Sequence, residues 1–142
     1  MTLPHVIATI AALLLAAPAA GQQHDQLPPD VETVISGGWW QKGSEEGRYR
    51  VVIRSSGFEH VISTLTVDWI LSPTESDSAR IVASVAIPTS PVVVHDPELI
   101  MEDGRWLLKA LTTDTHYDRP RRSGLRVILG GPGVVAHRSE PR

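Results

Sequence analysis

Apolar and polar residues alternate with a period of two along most of the chain after Val31. In residues 61–71 the odd positions hold Val, Ser, Leu, Val, Trp and Leu, whereas Thr and Asp interrupt the even positions. Because a β-strand points alternate side chains to opposite faces, the odd positions are predicted to be buried. No segment after Val31 sustains the apolar spacing of an amphipathic helix. Three further segments alternate in the same way, with predicted buried faces at Tyr49, Val51 and Ile53, at Ile81, Ala83, Val85 and Ile87, and at Leu125, Val127 and Leu129.

The dipeptide Asp103-Gly104 predicts a two-residue hairpin turn, because such a turn favours residues that tolerate a positive φ. Opposite charges then pair on one face of the hairpin, while Met, Trp and Leu pair on the other. Met101 and Trp106 are therefore predicted to face the core. The predicted register sets Glu102 opposite Arg105, Met101 opposite Trp106, Leu99 opposite Leu108 and Glu98 opposite Lys109.

A second turn is predicted at Ser55-Ser56-Gly57, between two alternating segments. A three-residue loop there sets Val51 opposite Val61 and keeps both apolar faces on one side of the sheet. A four-residue loop would set Val51 opposite Ile62 and separate the two apolar faces, so the shorter loop is favoured.

Polar stretches between the alternating segments predict loops at residues 72–78, 88–91, 95–97 and 113–123. About seven strands then lie at short spacing in roughly 110 residues, with no helix long enough for a parallel crossover. The expected fold is an all-β antiparallel β-sandwich of about seven strands, immunoglobulin-like in general architecture. A partly open β-barrel is the alternative.

The strongest apolar run, residues 6–17, is about 12 residues long, too short for a membrane-spanning helix of roughly 20. Small residues follow it in Ala17-Pro18-Ala19 and Ala19-Ala20-Gly21, two patterns that signal peptidase accepts. We therefore expect a periplasmic or secreted protein with no transmembrane segment after signal removal. The expected organisation is a signal peptide at 1–21, a flexible linker at 22–31, a single β-sandwich domain at 32–138 and a C-terminal tail at 139–142.

Composition and motifs exclude several classes of function. Thirteen basic and 16 acidic side chains give a net charge of −3, which argues against a dedicated nucleic-acid-binding protein. The absence of cysteine excludes disulfides, thiolate metal sites and a cysteine nucleophile. The chain contains no Gly-x-Ser-x-Gly, no His-Glu-x-x-His and no glycine-rich loop ending in Lys-Ser or Lys-Thr. No catalytic residue and no cofactor are therefore predicted.

Histidines are the remaining candidates for a metal centre. No two of them have the strand or helix spacing that places two ligands together, so no metal ligand is predicted. Glu59 and His60 are adjacent, but they could act as base and orienting group only beside a nucleophile from another segment. Five histidines remain after signal removal: His24, His60, His95, His116 and His137.

Trp39 and Trp40 follow Gly37-Gly38 directly. Adjacent strand residues face opposite sides, so one indole is predicted to be core and the other exposed or covering a sheet edge. An exposed indole can stack on a sugar or anchor a protein partner. The competing interpretation packs both indoles against other tryptophans or a loop.

Four arginines form the second candidate binding surface: Arg119, Arg121, Arg122 and Arg126. Residues 119–142 carry six Arg and one Glu, whereas the rest of the chain is strongly acidic. Arg126 is predicted to point outward, opposite the buried face of its strand, so the four could form one positive patch for an anionic partner. The alternative is a solvated surface on which these arginines pair with acids of the domain.

The expected function is a non-catalytic binding or assembly module of the cell envelope. Its expected partner is an envelope protein or an anionic envelope polymer, and enzymatic activity is left open without being favoured. The alternative is a small envelope metal-binding protein or hydrolase that uses His60 and Glu59 with other histidines. A third possibility is a structural subunit that completes its sheet with a neighbour's strand.

Overall fold

The computed structural model describes residues 27–89, 92–114, 116 and 119–141, with side chains described as far as Ala136 in the last strand. The predicted signal peptide and the first part of the predicted linker lie outside the described residues. Eight strands make up the regular secondary structure of the described part: β1 (Val31–Lys42), β2 (Glu45–Ser56), β3 (Ile62–Leu71), β4 (Arg80–Ile87), β5 (Val92–Glu102), β6 (Arg105–Asp114), β7 (Arg121–Leu129) and β8 (Val135–Pro141).

The strands form two four-stranded antiparallel sheets, in the orders β1-β2-β3-β4 and β5-β6-β7-β8. The predicted all-β antiparallel sandwich is confirmed, and the sheets do not close into a barrel. Within each sheet, strands that are consecutive in the chain pair with each other, so each sheet is a meander. Immunoglobulin domains share the two packed sheets but connect their strands as Greek keys, so the likeness is limited to the architecture.

The core lies between the two sheets, and the predicted buried faces of β2, β3 and β7 are confirmed within the strands. Val61 precedes β3 and is 39% exposed, so its predicted burial is wrong. In β4 the prediction is wrong for Ile81, which is exposed. A bulge causes the difference: Trp69 pairs with Ala83, but Ile70 pairs with Ile81, so Val82 is the additional residue. The buried core side chains are Trp40, Tyr49, Val51, Ile53, Leu65, Val67, Trp69, Ile87, Val94, Leu108, Ala110, Leu125, Val127 and Leu129.

The β5–β6 hairpin has the predicted turn and register. Asp103 and Gly104 adopt φ values of 49° and 72°, as this turn requires. Trp106 packs against the core, but Met101 is 46% exposed, so its predicted burial is wrong. Met101 lies close to the turn, where the sandwich core ends.

The predicted register between β2 and β3 is wrong, although the predicted faces are right. Val51 pairs with Val67, and the connection spans residues 57–61. Gly57 begins this longer loop with a φ of 101°. Because Val67 is an even number of positions from Val61, the shift leaves the same side chains on the buried face.

The predicted loop at residues 95–97 is instead a bulge within β5. His95 pairs with Leu111 and Glu98 pairs with Lys109, so β5 carries one additional residue. Asp96 takes a φ of 47° there. A proline is tolerated at such a bulge on an edge strand, because Pro97 does not have to donate to the ladder.

Asp68 is a buried carboxylate on the outer face of the first sheet, at 5% exposure. Arg50 donates to its Oδ2 from Nε and Nη2, at 2.9 and 2.7 Å. Ser84 donates to its Oδ1 at 2.7 Å. The three residues belong to β2, β3 and β4, so this network ties three strands of the sheet together.

Candidate ligand-binding site

All four tryptophans lie toward one end of the sandwich, which we call the tryptophan end: Trp39, Trp40, Trp69 and Trp106. This end contains the β1–β2, β5–β6 and β7–β8 connections. The opposite end contains the β2–β3 loop with Phe58 and His60, and the β6–β7 connection with His116. We call it the histidine end.

A bulge in β1 orients the tryptophan pair. Gly37 pairs with Tyr49 and Trp40 pairs with Gly47, so β1 carries one additional residue at this point. Gly38 has a φ of 64°, and a β-carbon there would lie 2.8 Å from Cδ2 of Tyr49. The bulge therefore depends on glycine, both for its backbone conformation and for the space beside it.

The two indoles differ sharply in exposure, as the sequence predicted. Trp40 is 2% exposed, and its Nε1 donates to the carbonyl oxygen of Arg48 at 3.3 Å. Trp39 is 59% exposed. The competing interpretation, in which both indoles are packed away, is wrong.

Trp39 lies on a cleft of about 210 Å³. Its exposed lining includes Gln41, Met101 and Arg105, one apolar and two polar residues. Its less exposed lining includes Trp40, Tyr49 and Trp106, together with the backbone of Gly130 and Gly131. The cleft thus joins the β1 bulge, the β5–β6 hairpin and the β7–β8 loop.

Hydrogen bonds hold the less exposed part of the cleft in place. Tyr49 Oη and Trp69 Nε1 both donate to the carbonyl oxygen of Gly130, at 3.1 and 2.9 Å. The two rings also meet edge to face, with centroids 6.0 Å apart. Burial raises the pKa of the Tyr49 phenol above its ordinary value of 10.0, so the hydroxyl stays a neutral donor at neutral pH.

The indole N–H of Trp106 has no hydrogen-bond partner in the part of the chain that the structure describes. Among the described residues, its Nε1 is the one buried side-chain nitrogen or oxygen without a partner. A buried donor left unpaired costs about 1–3 kcal/mol, which a ligand acceptor would offset. Sequence reasoning did not select Trp106 for binding, because its unpaired N–H depends on tertiary packing.

The four arginines do not combine into a single patch. Arg121 and Arg122 are adjacent at the start of β7, so they point to opposite faces of the sheet. Arg126 points outward as predicted, but it bonds to Glu102, which also lies 3.7 Å from Lys109. Arg119 is exposed in the preceding connection. The strand itself lies between β6 and β8 and is not a sheet edge.

Arg122 lines a second cleft, of about 280 Å³, with His95, Asp96, Leu111 and Thr113. This cleft adjoins the β5 bulge. No sequence motif marks this cleft, because the bulge brings together residues from three strands. Its opposite charges, a carboxylate and a guanidinium, do not define one class of ligand.

At the histidine end, His60 and His116 stack with ring centroids 5.2 Å apart and an interplanar angle of 19°. Asp114 Oδ1 lies 3.5 Å from Nδ1 of His116. Glu59 is exposed beside His60. The described residues contain no group of three or more His, Cys, Asp or Glu that could hold a metal ion. His24 and the side chain of His137 lie outside the described part.

No protein-family model, curated protein or solved structure matches this chain. In the part of the chain that the structure describes, no helix is long and apolar enough to cross a membrane.

Proposed function

We propose that this protein is a non-catalytic binding domain of the cell envelope, periplasmic or secreted, whose ligand docks in the cleft at the tryptophan end. The observation that carries the proposal is the exposed indole of Trp39 beside a buried, hydrogen-bonded floor. Export is supported by the apolar run at residues 6–17 and the small residues after it.

An irregular backbone and a solvent-exposed indole occur together at Trp39, and both are typical of a functional site. The β1 bulge places Gly38 in the left-handed region, and the following indole is left in solvent. Bulges occur preferentially where they re-aim a side chain, and exposed aromatic side chains dominate binding hot spots. The two features together support Trp39 as a ligand anchor.

The dimensions of the cleft suggest how much of the ligand it holds. Its volume of about 210 Å³ is below the roughly 300–1,000 Å³ of sites that enclose a drug-sized molecule. The cleft therefore suits one ring or one side chain, and the rest of a larger ligand would lie along the surface. An envelope polymer or an envelope protein meets this requirement.

Capture from an envelope extract tests the proposal. The immobilised protein is compared with Trp39→Ala and with Phe58→Ala, a matched control because Phe58 is 99% exposed at the histidine end. We expect Trp39→Ala to lower the captured material by roughly tenfold or more, and Phe58→Ala to retain it. Melting curves of both variants check that the fold is intact. Capture that is equal for Trp39→Ala and the wild type contradicts the proposed site.

A further inference from the structure

We infer that the ligand of this cleft is an acidic carbohydrate, with one sugar ring on the face of Trp39 and its carboxylate on Arg105. The inference rests on the proposed function and names the chemical class of its ligand. It depends on three features of the cleft: the exposed indole, a polar side chain beside it, and an arginine that pairs with no carboxylate among the described residues.

The exposed indole offers a flat apolar surface with a negative face. The C–H face of a sugar ring is flat and apolar, so it covers this surface while its hydroxyls point to the side. Gln41 is exposed on the same cleft and supplies an amide that both donates and accepts. The site thus combines an apolar platform with lateral hydrogen-bonding groups, as a sugar ring requires.

A protein partner fits the cleft less well. Of its lining residues, Trp39 and Met101 are the exposed large apolar side chains. A standard protein interface buries about 800 Å² on each partner around a cluster of such anchors. Two such anchors beside a cleft for one ring are few for an interface of that size, which favours a sugar.

Arg105 supplies the preference for an acid. Its cross-strand neighbour is Glu102, but that carboxylate bonds to Arg126 and lies near Lys109 instead. In the described part of the chain no carboxylate pairs with Arg105, and its side chain is exposed on the cleft. A guanidinium binds a carboxylate through two parallel hydrogen bonds, so the carboxylate of a uronic acid would pair with Arg105.

The buried N–H of Trp106 supplies a further donor for a sugar oxygen. Because this atom is covered, an oxygen reaches it only after a neighbouring side chain moves. Met101 lies opposite Trp106 in the hairpin, and it is exposed. An unbranched thioether side chain changes rotamer easily, so a ligand can displace Met101 beside the Trp106 indole at little cost.

The direct test is calorimetric titration with oligogalacturonate, oligoalginate and oligoglucuronate, each paired with its methyl ester. The ester keeps the ring and removes the negative charge. We expect at least one acid to bind roughly tenfold or more tightly than its ester, because a charge-assisted bidentate contact is lost. Trp39→Ala should weaken both forms, Arg105→Gln should abolish the difference between them, and Phe58→Ala should leave both unchanged.

If every ester binds as tightly as its acid, the proposed contact between a ligand carboxylate and Arg105 is wrong. If no member of the panel binds at millimolar concentration, the whole inference is wrong. Analysis of the captured envelope material shows whether only the ligand class is wrong or whether the proposed function itself is wrong. Material that Trp39→Ala fails to capture is treated with periodate or with proteinase. Destruction by periodate alone supports a carbohydrate. Destruction by proteinase alone leaves the binding domain standing with a protein ligand and contradicts the sugar.

Discussion

At the scale of single residues, Gly38 decides how the tryptophan pair is presented. A β-carbon at this position would lie 2.8 Å from Tyr49 and 2.9 Å from Trp106, and the φ of 64° disfavours any other residue. We predict that Gly38→Ala lowers the free energy of unfolding by about 2–4 kcal/mol, from backbone strain and overpacking together. Urea unfolding measures the loss.

Gly43 provides the matched control for this substitution. It has a similar φ of 63°, but nothing lies within 4 Å of the position of its β-carbon. Gly43→Ala should therefore cost only the backbone term, about 1 kcal/mol. Equal losses in the two variants would show that contact with Tyr49 and Trp106 contributes nothing.

Tyr49 gives the fold a dependence on alkaline pH. Burial raises the pKa of its phenol above 10.0, so the folded state holds the proton more tightly than the unfolded state does. The protonated phenol of Tyr49 contributes its full stabilisation below the pKa that it has in the unfolded chain. This contribution is lost as the pH rises through the higher pKa of the folded state. We predict that the wild type loses stability relative to Tyr49→Phe above about pH 10. Urea unfolding of both proteins from about pH 8 to about pH 11 checks this, and parallel curves contradict it.

At the scale of elements, local turn chemistry was predictable and turn length was not. Asp103 and Gly104 both favour the left-handed region, so two adjacent residues defined the β5–β6 turn and its register. In the β2–β3 connection, Gly57 marks where the loop starts but not how long it is. The alternation of Val51 with its neighbours excludes registers shifted by an odd number of residues, but it does not distinguish registers shifted by an even number. For β2 and β3 the predicted buried faces were therefore right, although the predicted cross-strand partners were wrong.

The candidate site was predictable in part, for the same physical reason. Adjacency alone implied that one of Trp39 and Trp40 is exposed. Which one is exposed depends on the bulge at Gly38, and bulges leave no periodic signal in the sequence. The positions of Arg105 and Gly130 beside Trp39 depend on how two sheets stack, which a pattern along one strand does not contain.

The β5–β6 hairpin permits a test of its predicted face. Trp106 packs against the core, whereas Met101 opposite it is exposed. We predict that Trp106→Ala lowers the free energy of unfolding by about 3 kcal/mol, at the lower end of the range for aromatic truncation because the indole is only partly buried. Met101→Ala should cost less than about 1 kcal/mol. A loss that small for Trp106→Ala, measured in denaturant, would show that its packing is unimportant.

At the scale of the whole molecule, the two candidate binding surfaces lie at different places on the sandwich. Trp39 and Arg105 are at the tryptophan end, whereas Arg121 and Arg122 begin β7 toward the histidine end. Arg121 and Arg122 point to opposite faces of the sheet, and Arg126 forms an ion pair with Glu102. A ligand held by the cleft should therefore be insensitive to the arginines of β7.

The double substitution Arg121→Ser and Arg122→Ser distinguishes the two surfaces. We predict that it changes capture from an envelope extract by less than about twofold, because exposed charges far from a ligand are screened within about 8 Å at physiological ionic strength. Arg105→Gln, which removes one charge inside the cleft, should weaken capture and reduce its dependence on salt. The reverse result, in which the double variant loses both capture and salt dependence while Arg105→Gln keeps them, would move the ligand to the arginines. The melting temperature should stay nearly unchanged in both variants, since each removes only exposed side chains and leaves the core packing intact.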